Sequence, residues 1–139
     1  MTDEELERRE PVWIALSALF LDTDPRLSYV SIVRELAGSG YSLDELWRIL
    51  DDEVTPALQS NLLQVAGEWA MFPREWVIEK VSPYAGKRRW LPNLVSLERD
   101  WQEIEEMIRI IRALPDEESR AQHLSAWQVR GGEVKDPAE

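Results

Sequence analysis

Residues 42–50, with the sequence SLDELWRIL, give the strongest indication of the fold class of this chain. Ser42 stands three residues before Glu45. This is the spacing of a capping box, in which each side chain binds the other residue's backbone N–H at the start of a helix. Apolar residues then recur with the i, i+3, i+4, i+7 spacing of one helical face: Leu43, Leu46, Trp47 and Leu50. The stretch therefore predicts an amphipathic helix with Trp47 in the core.

Helical spacing also occurs on both sides of this stretch. We predict further helices at about 11–21, 29–37, 55–69, 73–81, 94–114 and 116–127. Pro11 and the Thr55-Pro56 pair are interpreted as helix starts, because proline is tolerated in a first turn, and the glycines of segment 38–40 as a helix end. No stretch shows the two-residue alternation and turn residues of a β-hairpin. The prediction is an all-α, single compact bundle of six or seven helices in orthogonal or mixed packing.

The chain length fits one domain. We expect a helical domain over residues 1–132 and a frayed C-terminal tail over 133–139. The apolar residues of segment 94–114 follow heptad spacing, which would allow a homodimer. The apolar stripe is wider than a coiled-coil seam, so packing within one chain is favoured and a monomer is expected.

Composition argues against most catalytic and metal sites. Sixteen Lys and Arg stand against 27 Asp and Glu, a formal net charge of −11, and there is no cysteine. Thiolate chemistry and cysteine-held metals are excluded, and His123, the only histidine, cannot form a two-histidine metal site. The glycines do not follow a strand, as a nucleotide-binding loop requires. No catalytic residue, cofactor or metal is therefore predicted.

Aspartate and glutamate side chains are the remaining candidates for a catalytic or metal site. Glu103 with Glu106, or the run Asp51-Asp52-Glu53, would serve as a hydrolytic pair or a divalent-cation site. Both sets are interpreted as lying opposite an apolar stripe, which places them in water on an outer helix face. Glu68 lies between apolar positions, and a structural ion pair with an arginine is its favoured role.

Tryptophans divide into two groups. Five of the seven fall on predicted buried faces: Trp13, Trp47, Trp69, Trp76 and Trp101. Trp90, in the basic string Lys87-Arg88-Arg89-Trp90, and Trp127, near the C-terminus, are predicted to be exposed interface anchors. The basic string is short beside a net charge of −11, so free nucleic acid is not an expected partner.

Several short strings of the sequence form a recognisable set: WIALS from Trp13, LFLDT from Leu19, SGYSL from Ser39, EVTP from Glu53, NLL from Asn61 and GEW from Gly67. Together they resemble a family of small, uncharacterised, acidic helical proteins of Gram-negative bacteria. The resemblance covers about residues 11–81 and implies a bacterial helical domain, with no known activity to carry over.

A non-catalytic, acidic protein-binding module is the predicted function, in the form of an immunity-type inhibitor that neutralises a partner such as a bacterial toxin. The expected partner is a protein with a basic surface, such as a nuclease-type toxin, because opposite charge accelerates association. The alternatives are a regulatory adaptor, a secretion chaperone or a carboxylate-based enzyme. An acidic N-terminus and short apolar runs predict a cytoplasmic protein without membrane contact. The hypothetical partner-binding residues are Asp44, Asp51, Asp52, Glu103, Glu105, Glu106, Trp90 and Trp127.

Overall fold

The computed structural model of the protein describes residues 1–21, 28–62 and 72–129. Within these ranges it contains six helices and no strand, which confirms the all-α prediction. Their bounds are Asp3–Ser17 (α1), Tyr29–Ala37 (α2), 43–62 (α3), Arg74–Val81 (α4), Glu98–Ala113 (α5) and Glu117–Val129 (α6). Short 3₁₀ turns follow α1, at Ala18–Phe20, and α4, at Ser82–Tyr84. The predicted tail at 133–139, the end of the predicted helix 55–69 and the positions of Glu68 and Trp69 lie outside the described residues.

The core forms where α2 lies between α1 and α5. α6 packs against both α2 and α5, and the middle of α3 packs against α1. Fully buried side chains on the facing sides of these helices include Trp13, Leu16, Val33, Leu36, Leu46, Leu50, Ile104 and Ile108. The stripe on α5 is therefore used within the chain, as the predicted intramolecular packing requires.

Helix α1 begins earlier than predicted. Thr2 caps it by accepting the backbone N–H of Glu5 at 3.2 Å, and acidic residues fill the first turn, where they suit the helix dipole. Pro11 lies inside the helix instead of opening it. Proline there removes the donor to the carbonyl of Glu7, but Glu7 is exposed, so water can bind that carbonyl.

Helix α3 combines three segments: Leu43–Arg48, a π-helical stretch at Ile49–Val54, and Thr55–Leu62. The capping box is confirmed, with Ser42 Oγ accepting from Glu45 N at 3.1 Å and Glu45 Oε1 accepting from Ser42 N at 3.3 Å. The predicted helix start at Thr55-Pro56 is wrong, because the π segment continues the helix through this point.

One predicted helix start also differs, because α5 begins at Glu98 and not at Leu94, which is 75% exposed in the preceding loop. α2 ends at Ala37 with Gly38 as its C-cap, as predicted, although Gly38 does not take a left-handed conformation. The last carbonyls of α2 are instead bound by Arg112 of α5, which donates to the carbonyl oxygens of Leu36 at 3.1 Å and Ala37 at 3.3 Å.

Three tryptophan assignments are corrected. Trp76 is half-buried, with its ring stacked 4.8 Å from that of Phe72. Trp127 is buried, with only 3% of its surface exposed, because α6 packs onto α2 and α5. Its ring meets that of His123 edge-on at 4.5 Å between centroids. Trp47 is half-buried at the edge of the core, where its ring lies 6.0 Å from that of Trp101.

Candidate functional site

A buried carboxylate links three parts of the fold. The side chain of Glu53, in the π segment of α3, is 5% exposed. Its Oε1 accepts a hydrogen bond from Trp13 Nε1 at 2.8 Å. Its Oε2 accepts from Arg9 Nη1 and from the backbone N–H of Gly86 at 3.1 Å. A carboxylate that is both paired and hydrogen-bonded is the form in which burial of the charge is tolerated.

A second carboxylate extends this network. Glu5 Oε1 accepts from Arg9 Nε at 3.1 Å and from the hydroxyl of Tyr41 at 3.0 Å. The guanidinium of Arg8 stacks 4.2 Å from the centre of the Tyr41 ring. Burial, together with the hydrogen bond to Glu5, raises the pKa of Tyr41 to about 12, and the same hydrogen bond lowers the pKa of Glu5. We call Glu5, Arg9, Trp13, Tyr41 and Glu53 the Glu53 cluster.

The cluster corrects the interpretation of the run Asp51-Asp52-Glu53 as a solvated face. Glu53 follows the buried Ile49 by four residues, about one helical turn, which places both on the same face of α3. In the sequence, this spacing is the feature that indicates burial of Glu53. All three donors to Glu53 come from the protein itself, so the arrangement can hold a loop in place.

Asp51 and Asp52 hold the same loop from outside. Arg89 Nε lies 3.2 Å from Asp51 Oδ2 and 3.9 Å from Asp52 Oδ1. Asn93 Nδ2 donates to the backbone oxygen of Asp51 at 2.8 Å and to its Oδ1 at 3.0 Å. The backbone N–H of Leu94 donates to Gln59 Oε1 at 2.7 Å.

The hydrogen bond from Asn93 to the backbone carbonyl of Asp51 replaces one that Pro56 cannot make. In the π register Thr55 N–H donates to the carbonyl of Leu50, so the next donor should be residue 56 to the carbonyl of Asp51. Pro56 has no N–H to give. The amide of Asn93 supplies the missing donor, and α3 thereby gains a fixed attachment point for the loop.

The loop held in this way exposes an apolar and basic surface. Its solvent-facing side chains are Tyr84, Lys87, Arg88, Arg89, Trp90, Leu91 and Leu94, which we call the 84–94 surface. Trp90 is 88% exposed, and Leu91 and Leu94 are also exposed. They border an open groove of about 890 Å³, which α3 and α4 close on the other side. Exposed apolar groups grouped around a concavity are typical of an interaction site.

Positive charge at this surface is only partly balanced. Four cations line the groove, Lys80, Lys87, Arg88 and Arg89, against the two carboxylates of Asp52 and Glu79. Lys87 and Arg88 also line an adjoining polar cleft of about 230 Å³. Arg9 and Arg48 line this cleft as well, together with the carboxylates of Glu45, Asp52 and Glu53. In the described part of the chain, no acidic side chain forms an ion pair with Lys87, Arg88 or Arg48.

The predicted partner-binding residues do not form one site. Trp90 is exposed as predicted, whereas Trp127 belongs to the core. Asp51 and Asp52 are half-buried, and both form ion pairs with Arg89 of the loop. The remaining acids lie on α3, where Asp44 is exposed, and on α5, where Glu103 and Glu106 are exposed and Glu105 pairs with Arg109 at 3.0 Å.

The described ranges contain neither a cluster of metal ligands nor a helix suited to crossing a membrane. No three His, Asp or Glu side chains in residues 1–21, 28–62 and 72–129 lie close enough together to hold a metal ion. Over the same residues, no helix combines the length and apolar character that crossing a membrane requires.

Fold and surface together define an all-α bundle whose described part carries an exposed apolar and basic loop, fixed by buried and surface carboxylates. The chain belongs to a family described as a domain of unknown function, DUF7079, whose sequence profile matches residues 7–110. This confirms the resemblance to an uncharacterised family and extends it through the 84–94 surface. None of the curated proteins and none of the solved structures matches the chain.

Proposed function

We propose that this protein is a non-catalytic binding module that neutralises a partner protein by covering it, in the manner of an immunity-type inhibitor. The observation that carries the proposal is the exposure of Trp90, at 88%, beside Leu91 and Leu94 on a groove. Tryptophan is enriched among the residues that dominate binding energy at protein interfaces. Its burial by a partner would remove this apolar surface from water.

The attachment of the loop supports this role. Glu53, Asp51 and Gln59 each accept a hydrogen bond from the segment that carries Trp90. A loop that is already ordered before it binds loses less conformational entropy in the complex. The 84–94 surface is therefore suited to tight association without rearrangement.

The charge of the chain supports a basic partner. A formal net charge of −11 attracts a positively charged protein over long range and raises its association rate. Asp44, Glu103 and Glu106 are exposed and contribute to this field. In this proposal the partner is a basic protein such as a nuclease-type toxin, the inhibitor acts as a cytoplasmic monomer, and free nucleic acid is repelled.

Other functions have less support. A regulatory adaptor or secretion chaperone would use the same surface, and differs only in that its partner is not toxic. For a carboxylate-based enzyme the strongest candidate is Glu53, but its oxygens are bound by Arg9, Trp13 and Gly86. This supports a structural role over proton transfer.

The test is affinity purification from the cells that encode the chain, with identification of captured proteins by mass spectrometry. Wild-type protein is compared with a double variant, Trp90→Ala and Leu91→Ser, and with Gln102→Ala, an exposed residue of α5 that lines neither cleft. We expect a stoichiometric protein partner that the double variant loses and Gln102→Ala retains.

Neutralisation is then measured directly. The captured partner, expressed alone, should arrest growth, and co-expression of the wild-type chain should restore growth while the double variant does not. A partner that is harmless when expressed alone would favour the adaptor or chaperone alternatives. A partner retained equally by all three proteins would contradict the assignment of the 84–94 surface.

A further inference from the structure

We infer that the 84–94 surface binds an acidic segment of a protein, one that presents a bulky apolar side chain to the groove and carboxylates to Lys87, Arg88 and Arg48. The inference rests on the proposed function and specifies the partner segment that this surface would accept. It is carried by cations that have no partner in the described part of the chain, placed beside exposed apolar groups.

The position of the cations is the first argument. Lys87 and Arg88 line both the groove and the adjoining cleft, and Arg48 lines the cleft. Arg89, in contrast, is already held by Asp51 and Asp52. In a chain that carries 27 acidic residues, cations left unpaired at one surface are available for carboxylates from outside.

The apolar groups beside these cations are the second argument. Trp90, Leu91 and Leu94 follow the basic string directly in sequence, and Tyr84 lines the groove with them. A segment lying along the loop would thus meet charge at one end and apolar surface at the other. A segment with acidic residues at one end and apolar residues at the other complements this pattern, whereas a basic segment would place like charges against Lys87 and Arg88.

A peptide fits this surface better than a nucleic acid strand. Aromatic groups beside cations also suit stacked bases and phosphates. However, the groove contains the carboxylates of Asp52 and Glu79, and the whole chain has a formal net charge of −11. A continuous phosphate backbone would have to pass these charges, whereas a peptide can place each carboxylate separately.

An acidic contact segment is compatible with a partner that is basic overall. Electrostatic steering depends on net charge over a Debye length of about 10 Å. Contacts inside the interface depend on the groups that meet at hydrogen-bond distance. The partner would therefore combine an overall positive charge with a local acidic and apolar segment.

The test is a selection of short random peptides on the intact wild-type protein, with counter-selection on the Trp90→Ala and Leu91→Ser double variant. We expect the selected peptides to be enriched in Asp or Glu together with Trp, Phe or Leu. Affinities of the best peptides are then measured by fluorescence anisotropy, and a mixed-sequence single-stranded oligonucleotide is measured beside them.

Charge-reversal variants test whether Lys87 and Arg88 bind the carboxylates of the peptides. Lys87→Glu with Arg88→Glu should weaken binding of the acidic peptides by about tenfold or more, because carboxylates would then face carboxylates. The matched control reverses Arg99 and Arg109 of α5 to Glu, an equal change in net charge on exposed residues that line neither cleft. The control should bind the peptides within about twofold of wild type, and thermal unfolding verifies that both variants fold.

The outcomes separate the two proposals. Selection of basic or uncharged peptides that still require Trp90 would overturn the acidic-segment inference and leave the binding surface in place. Selection that never depends on Trp90 would overturn both. Tighter binding of the oligonucleotide than of any peptide, lost on reversal of Lys87 and Arg88, would assign the surface to nucleic acid and also overturn the inference.

Discussion

At Glu53 one carboxylate accepts hydrogen bonds from α1 and from the loop that follows α4. Glu53→Gln keeps the size of this side chain and removes the charge that balances Arg9. Breaking a buried ion pair from one side costs about 3–5 kcal/mol, and we expect a loss of this size in the free energy of unfolding in urea. Glu103→Gln, at an exposed position of α5, should stay within about 0.5 kcal/mol. Equal effects of the two changes would contradict the structural role of Glu53.

Tyr41 makes stability depend on alkaline pH. Its pKa rises from an ordinary value of 10.0 to about 12 in the folded protein, so the folded state keeps a proton that the unfolded state loses. The resulting stabilisation is fully present below pH 10.0 and should disappear as the pH rises to about 12. Unfolding in urea across this range measures the effect, and Tyr41→Phe should flatten this part of the pH profile.

At the scale of the elements, Pro56 shows where the local rule for proline in helices fails. Ser42 and Glu45 interact within one turn, so their capping box follows from the sequence alone. At Pro56 the rule that proline starts or breaks a helix assumes the usual i→i−4 register. The π segment changes which carbonyl loses its donor, and Asn93, from a distant loop, replaces that donor. Such compensation depends on tertiary structure and cannot be predicted from local sequence.

The same element gives a double-mutant test. Asn93→Ala leaves the carbonyl of Asp51 without a donor and should cost about 1 kcal/mol or slightly more. Pro56→Ala restores a backbone N–H at the position that the π register requires. In that background, Asn93→Ala should cost less by about 0.5–1 kcal/mol. Additive effects of the two changes on urea unfolding would mean that Pro56 and Asn93 do not act on the same carbonyl.

The candidate site was predicted only in part, for reasons that differ between residues. The exposure of Trp90 follows from its basic and proline-containing surroundings, which cannot continue a helix. The burial of Trp127 depends on where α6 packs, which the weak apolar face of that helix does not indicate. Asp51 and Asp52 lie on the outer side of α3 as predicted, yet a loop with its own arginine covers them.

At the scale of the whole molecule, the apolar faces of α2, α5 and α6 are used in packing within the chain. We therefore expect the protein to sediment as a monomer, near its mass of 16.2 kDa, at micromolar concentration. The 84–94 surface is the most exposed apolar region among the described residues, so any dimer should form there. A species of about twice the monomer mass that persists in the Trp90→Ala and Leu91→Ser variant would contradict this expectation.

The attachment of the loop separates two kinds of constraint on evolution. Asp51, Glu53 and Asn93 fix its path from below, while the side chains of Trp90 and Leu91 project from it into solvent. If the 84–94 surface binds a partner as proposed, changes at Trp90 or Leu91 should alter recognition at little cost in stability, whereas changes at the attachment points should affect both. An inhibitor of the proposed kind could then follow a rapidly diversifying target by exchanging a few outward side chains. The same property makes the loop a natural position for engineering new specificity.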